Sequence, residues 1–305
     1  MATFGPVRVR VDEIVDLSPN FRRIVFTGPD LDLDTDDHFY DQRIKLIFPS
    51  ASGQLPELVE TDEWYRAWLD IPEDSRGIMR TYSVRSATRV DDQVRLAIDF
   101  VMHEENGKSG PAATWAKYAT IGSEIILIAP MQGAASGGIE FNRGEAQKVV
   151  LLGDETAAPA IARILEDLAK EGAEVPCTAY IEIPTEYDRL EITSAPHHEV
   201  TWLPRSGAEQ GSRLAPALGW HVEDPASAVS AESPDAPLLW ETPNYSSAGE
   251  DLATDEKPTD GTYYWIAGES GVVKELRRYL VRDRGVDRSQ VAFMGYWRIG
   301  VAMKG

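Results

Sequence analysis

Arg80-Thr81-Tyr82-Ser83 is the first run whose residue types suggest chemistry. On a strand, side chains two apart share a face, so Arg80 and Tyr82 point one way and Ser83 the other. The arginine can hold a phosphate by charge-assisted hydrogen bonds, and the tyrosine can lay a flat ring against a flat cofactor. The Ser83 hydroxyl and amide can still reach a ring placed at the strand end. Standing alone, the run reads more readily as an exposed amphipathic strand.

Three further runs carry comparable signals. Gly110-Pro111-Ala112-Ala113-Thr114 is a small-residue turn opening a helix, whose free amides and positive dipole end suit an anion. The alternative is an ordinary helix start. Gly153-Asp154-Glu155-Thr156-Ala157-Ala158-Pro159 follows a buried apolar run, at the strand-to-helix turn where α/β folds bind ligands. It is not G-x-G-x-x-G, and its two acids repel a pyrophosphate, so a nicotinamide grip there would be unusual. Either Glu155 or Thr156 borders a flavin, or Asp154 or Thr156 caps the helix. Gly295-Tyr296-Trp297-Arg298-Ile299-Gly300 sets two aromatics and an arginine after a buried strand. In isolation it reads as structural.

The elements that must position these residues fall into two styles. Residues 7–17, 21–28, 43–49, 80–87, 93–103 and 124–130 are short β-branched or alternating runs broken by turn residues such as Ser18-Pro19-Asn20. One short helix is predicted around Trp64–Leu69 and one over 111–119, where Pro111 suits an N-terminal turn. This pattern predicts a small antiparallel barrel. Beyond residue 144 strand and helix alternate: strands at 144–153, 175–183, 199–204, 263–269 and 290–297, helices at 160–172 and 271–285. That alternation predicts an α/β domain with a parallel sheet. We place the domains at 1–144 and 145–305. Residues 221–260 are rich in Asp, Glu, Ser, Ala and Pro and read as an acidic, partly disordered surface insertion.

Composition narrows the function. Fifty acidic against thirty basic residues give a net charge of −20, which repels nucleic-acid backbones and anionic membrane surfaces. Neither is an expected partner. A single cysteine, Cys177, excludes an intramolecular disulfide, a cysteine-ligated iron–sulfur cluster and a multi-cysteine zinc site. The five histidines form no H-E-x-x-H pattern, and His197-His198 reads as a solvated turn. With no signal-peptide core and no apolar run of membrane-spanning length, a cytoplasmic location is expected.

Taken in order, R-T-Y-S-V-R (80–85), H-x(6)-G-P-A-A-T-W-A (103–116), G-D-E-T-A-A-P-A-I (153–161), W-I-A-G-E (265–269) and G-Y-W-R-I-G (295–300) resemble the siderophore-interacting protein family. These are FAD-dependent ferric-siderophore reductases of the ferredoxin-reductase superfamily, and the resemblance runs from about Val7 to Gly300. It implies a six-stranded antiparallel FAD barrel followed by a five- or six-stranded parallel α/β domain.

By position, the resemblance implies that Arg80 contacts the FAD pyrophosphate, Tyr82 stacks on the isoalloxazine and Ser83 lies near its reactive edge. His103 and the turn Gly110, Ala112, Ala113 and Thr114 line the phosphate and adenine end. Glu155 and Thr156 sit at the nicotinamide entrance, Gly268 and Glu269 border the same cleft, and Trp297 closes over the flavin. Lys45 matches a basic anchor for the ferric siderophore, with Arg298 a weaker candidate and Glu269 beside the substrate. No acid–base catalyst or metal ligand is implied. Electrons come from NADH, NADPH or a reduced ferredoxin, and iron leaves as Fe(II). The sequence departs from the family at Thr114, where an arginine is common, and at Gly122-Ser123, where Gly-Asp is common. Arg205 is a further candidate, as a reader of a 2′-phosphate. Two other functions fit the same residues: an NAD(P)H-flavin electron-transfer reductase with a non-iron acceptor, and a non-enzymatic siderophore-binding protein.

Overall fold

The computed structural model describes residues 4–58, 63–102, 109–133, 137–220, 238, 240–242, 245–246 and 261–300. The chain forms two compact units, one running through Ile139 and the other starting at Glu140.

Seven strands build the first unit: β1 (Phe4–Ser18), β2 (Phe21–Thr27), β3 (Arg43–Phe48), β4 (Ile78–Ser83), β5 (Ser86–Val90), β6 (Gln93–Val101) and β7 (Glu124–Pro130). They lie in the order β4-β3-β7-β1-β2-β6-β5, with every pair antiparallel. The β5–β6 hairpin turns on Asp91 and Asp92 at φ 47° and 64°, the left-handed pair that matches the twist of the flanking strands. The run 80–87 is not one strand, because the chain crosses at Val84–Arg85 between the sheet's two edges. The Val84 amide donates to the Gln42 carbonyl (2.9 Å) and the Arg85 amide to the Ala97 carbonyl (3.0 Å).

Alternation along these strands gives the sheet two apolar faces. Ile24, Phe26, Ile44, Leu46, Phe48, Ile98, Phe100 and Leu127 fill the interior. Helix α2 (Pro111–Tyr118) adds Trp115, whose ring lies 5.2–6.2 Å from those of Phe26, Phe48 and Phe100. On the opposite face Ile47, Met79, Ile126 and Ile128 pack with Trp68 of helix α1 (Trp64–Asp70).

The second unit carries β8 (Lys148–Gly153), β9 (Cys177–Ile183), β10 (His198–Pro204), β11 (Trp240–Thr242), β12 (Tyr245–Ser246), β13 (Thr262–Glu269) and β14 (Val291–Trp297), in the order β10-β9-β8-β13-β14-β11-β12. The first five are parallel. Strand β11 runs antiparallel to β14, so the sheet is mixed at one edge and part of the acidic segment belongs to it. Helix α3 (Ala158–Lys170) packs on β8 and β9, and α5 (Ser270–Arg277) on β13 and β14. Helix α5 runs on as a π-helical segment, Arg278–Asp283. A short helix α4 (Leu214–Ala217) packs on β9. The strand order departs in both directions from β8, which places a topological switch point at the carboxyl ends of β8 and β13.

Candidate functional site

Edge strand β4 presents two chemistries on its two faces. Its register against β3 pairs Ile44 with Tyr82 and Leu46 with Arg80 on one face, and Arg43 with Ser83 and Lys45 with Thr81 on the other. Tyr82 packs on the interior cluster, its ring 4.7 Å from that of Phe100, and burial pushes its phenol far above the usual range. Arg80 is half-buried, and its described hydrogen bond is to the Met79 carbonyl (2.7 Å). Burial weakens its hold on its proton, while the nearby Tyr82 acts the other way. No carboxylate answers it among the described residues, so the guanidinium is available to an anion.

Helix α2 packs against β4 and is polarised in the same sense. Its N-cap, Gly110, brings no side chain, and Pro111 follows at the first turn. The Thr114 amide bonds the Gly110 carbonyl (2.8 Å). At the other end Arg22 donates to the Ala116 and Lys117 carbonyls, 3.0 Å each. The carboxyl end is met by a cation, and no described side chain caps the amino end, the arrangement that receives a phosphate. Arg80, Tyr82 and this turn fit a flavin dinucleotide: a cation and open amides for its pyrophosphate and an aromatic for its ring. His103 lies outside the described residues.

On the opposite face of β4 is a cavity of about 310 Å³ lined by Arg43, Lys45, Trp64, Thr81, Ile128 and Gly138. The Lys45 ammonium donates to the Thr81 hydroxyl (3.1 Å) and meets no carboxylate among the described residues. Burial, with the neighbouring Arg43 charge, holds it below the usual lysine range. Arg43, one alternation before Lys45, is the basic partner that the sequence reading passed over, although period 2 already put both on one face.

In the second unit, Glu155, Thr156, Glu269 and Trp297 come together around Asp154. Asp154 Oδ1 accepts from the Thr156 amide (2.9 Å) and hydroxyl (2.5 Å). Its Oδ2 accepts from the Glu269 amide (2.7 Å), the Trp297 indole (2.9 Å) and the Gln210 amide group (3.1 Å). Gly268 stands against this carboxylate at φ +143°, where a Cβ would lie 2.6 Å from Oδ2. Burial, then the charge of Glu155, pushes the Asp154 carboxyl up, against the pull of its donors. The Ala157 and Ala158 amides bond the Asp154 carbonyl, so these two amides at the start of α3 are satisfied from within. A pyrophosphate there would meet the Asp154 carboxylate.

Two sequence expectations change character in this cluster. Glu269 is 6% exposed and committed on both oxygens: Oε2 caps α5 by accepting from the Val272 amide (2.9 Å), and Oε1 accepts from the Ile299 amide (3.3 Å). It orders the turn that carries Trp297 and Arg298, and its carboxylate has little left for a substrate. Arg205 is clamped by Glu155 (2.6 and 2.7 Å) and by Glu182 (3.2 Å), with 11% of its side chain exposed. Burial opposes its charge, but the two carboxylates outweigh burial and hold its pKa above the usual value. A guanidinium so engaged does not offer itself to a 2′-phosphate. Arg298 is half-buried and lies close enough to Lys274 to help lower that lysine's pKa, after burial. No group of metal-ligating side chains occurs among the described residues, and no described helix is long and apolar enough to cross a membrane.

The family model Siderophore-interacting FAD-binding domain matches residues 10–135, and the model Siderophore-interacting protein matches residues 146–300. The chain belongs to the siderophore-interacting protein family. A family relative, an uncharacterized protein of Mycobacterium tuberculosis, is 32% identical over 290 residues, covering 93% of this chain and 87% of its own. The NADPH-dependent ferric-chelate reductase of Escherichia coli is 27% identical over 303 residues, covering 96% of each. Among solved structures, a siderophore utilization protein from T. fusca superposes with a TM-score of 0.69 at 27% identity, over 99% of this chain and 95% of its own. A ferredoxin NADP+ reductase from Neisseria gonorrhoeae, at 17% identity and a TM-score of 0.56, shares the fold over 97% of this chain and all of its own. The fold is thus ferredoxin-reductase-like, an antiparallel FAD-binding barrel followed by a mostly parallel α/β domain.

Proposed function

We propose that the protein is an FAD-dependent ferric-siderophore reductase that takes up an anionic ferric chelate beside Lys45. The observation that carries this reading is a half-buried lysine, next to an arginine and without a carboxylate partner among the described residues, inside a chain of net charge −20. Desolvating such a cation costs free energy unless an anion arrives to answer it. The family match and the ferric-chelate reductase relative support a ferric chelate as that anion.

Arg80 and the open amides of α2 would hold the FAD pyrophosphate, and Tyr82 would flank its ring. FAD, when bound, supplies the change from a two-electron donor to a one-electron acceptor. The protein binds and orients, and no side chain needs to move a proton to the iron. With a reduced pyridine nucleotide as donor, one hydride reduces two Fe(III) to two Fe(II) and releases one proton. Fe(II) is held far more weakly by hard oxygen donors, so the chelate then gives up its iron. The donor is NAD(P)H or a reduced ferredoxin. If it is a nucleotide, its pyrophosphate is held elsewhere than at the α3 turn, which Asp154 fills.

The test is anaerobic. FAD-loaded protein is reduced chemically, mixed with a ferric siderophore, and followed in the presence of an Fe(II) trap. Return of the oxidised flavin bands together with trapped Fe(II) is expected. Reduced flavin that persists beside the intact Fe(III) chelate would refute the reading.

A further inference from the structure

The cavity beside Lys45 has walls of one chemistry and charges of another. The walls are the Trp64 indole, Ile128 and the backbone at Gly137 and Gly138, and the charges are Arg43 and Lys45. One wall is tied down by hydrogen bonds. The Arg43 amide donates to the Gly138 carbonyl (2.8 Å), and Gln42 Nε2 donates to the carbonyls of Gly137 (2.6 Å) and Arg43 (2.8 Å). Gly138 sits at φ +86°, and a Cβ there would press to 3.1 Å on the Arg43 carbonyl and on Gln42 Nε2. The space, about 310 Å³, is at the small end for a ligand pocket and gives room for one substituted ring.

We propose that this cavity seats one aryl ring of the ferric chelate against Trp64, making aryl-bearing anionic chelates of the catecholate kind the preferred substrate class and Trp64 the specificity-determining residue. The proposal rests on the reading of Lys45 as the chelate anchor. A catecholate ring has flat apolar faces and two anionic oxygens on one edge. The faces suit an indole wall, and the oxygens suit the Lys45 ammonium. A citrate chelate brings charge without a flat apolar face. A trihydroxamate chelate brings aliphatic arms and little or no negative charge.

The experiment uses gallium(III), which the flavin does not reduce under these conditions, so binding is read apart from turnover. FAD-loaded oxidised protein is titrated calorimetrically with the gallium complexes of a tricatecholate, citrate and a trihydroxamate. The tricatecholate is expected to bind at least about tenfold more tightly than citrate, and the trihydroxamate weakest of the three. Trp64→Ala is expected to weaken the tricatecholate about five- to tenfold while leaving citrate within about twofold. Trp64→Phe keeps most of the preference, and it serves as the deciding variant if Trp64→Ala does not fold. Lys45→Ala weakens both anionic chelates. Equal affinity for citrate and tricatecholate, or equal loss of both in Trp64→Ala, overturns the aryl assignment and leaves the Lys45 anchor standing. No binding of any gallium chelate overturns the anchor and the aryl assignment together.

Discussion

Arg205 and Glu155 form a two-pronged ion pair, 2.6 and 2.7 Å, although fifty residues separate them in the chain. Glu182 joins at 3.2 Å and also accepts from the Gly211 (2.7 Å) and Arg213 (2.8 Å) amides. Arg205→Ala leaves two buried carboxylates without their cation, and a loss of about 3–5 kcal/mol is expected in urea unfolding. Burial already pushes the Glu182 carboxyl above its ordinary value. A carboxyl with a raised folded pKa gives stability at low pH that is lost as pH rises through that value. The deficit of the variant should therefore be smaller at pH 5 than at pH 8. A deficit that does not change with pH counts against this account.

The indole of Trp297 and the carboxylate of Asp154 are predicted to be energetically coupled. A double-mutant cycle with Asp154→Asn and Trp297→Phe reads that coupling directly. Asp154→Asn puts an amide among donors and should cost about 2–4 kcal/mol, much of it shared with the tryptophan. A coupling of about 1 kcal/mol or more is expected, and strict additivity would show the bond to be incidental.

Arg80→Ala should affect cofactor retention before stability. Its described bond, to the adjacent Met79 carbonyl, is not one the fold needs. FAD affinity is expected to fall about ten- to a hundredfold, the worth of a charge-assisted contact. The ratio of flavin to protein absorbance after gel filtration, with an FAD titration of the stripped protein, checks this. Thermal unfolding of the stripped variant should match that of stripped wild type.

Lys45 should give chelate binding a pH dependence. Its ammonium is held below the usual lysine range, first by burial and then by Arg43. An anionic chelate favours the charged lysine, so affinity is high below the lowered value and falls as pH rises through it. Titration of the gallium–citrate complex between pH 7 and 10 should show this fall in wild type. It should be absent in Lys45→Ala and displaced to higher pH in Lys45→Arg. A wild-type profile without slope would remove Lys45 from the site.

Much of the architecture was legible because each long element carries its own period. The alternation in Arg43–Phe48 and the helical stripe in Ala158–Lys170 need no partner to be read. The break at Val84–Arg85 has no glycine or proline to announce it, because it is imposed by crossing from Gln42 to Ala97. Trp240–Thr242 is three residues long, too short to show a period within an acidic stretch, and becomes a strand only by pairing with Met294 and Phe293. Part of the candidate site's geometry was legible in the same way. Arg80 and Tyr82 share a face because strands alternate. That Glu155 serves Arg205, and that Glu269 spends its carboxylate on Val272 and Ile299, follows from tertiary neighbours that no local spacing reveals.

The Asp154 carboxylate has one more consequence. A dinucleotide fold that draws the anion for its first helix from solution is stabilised by mass action, tightened when the ligand is plentiful and loosened when it is scarce. Here the anion is covalently part of the chain, and it gathers the ends of β8, β13 and β14 at an effective concentration that dilution does not change. The order of this part of the second unit is thereby uncoupled from metabolite supply.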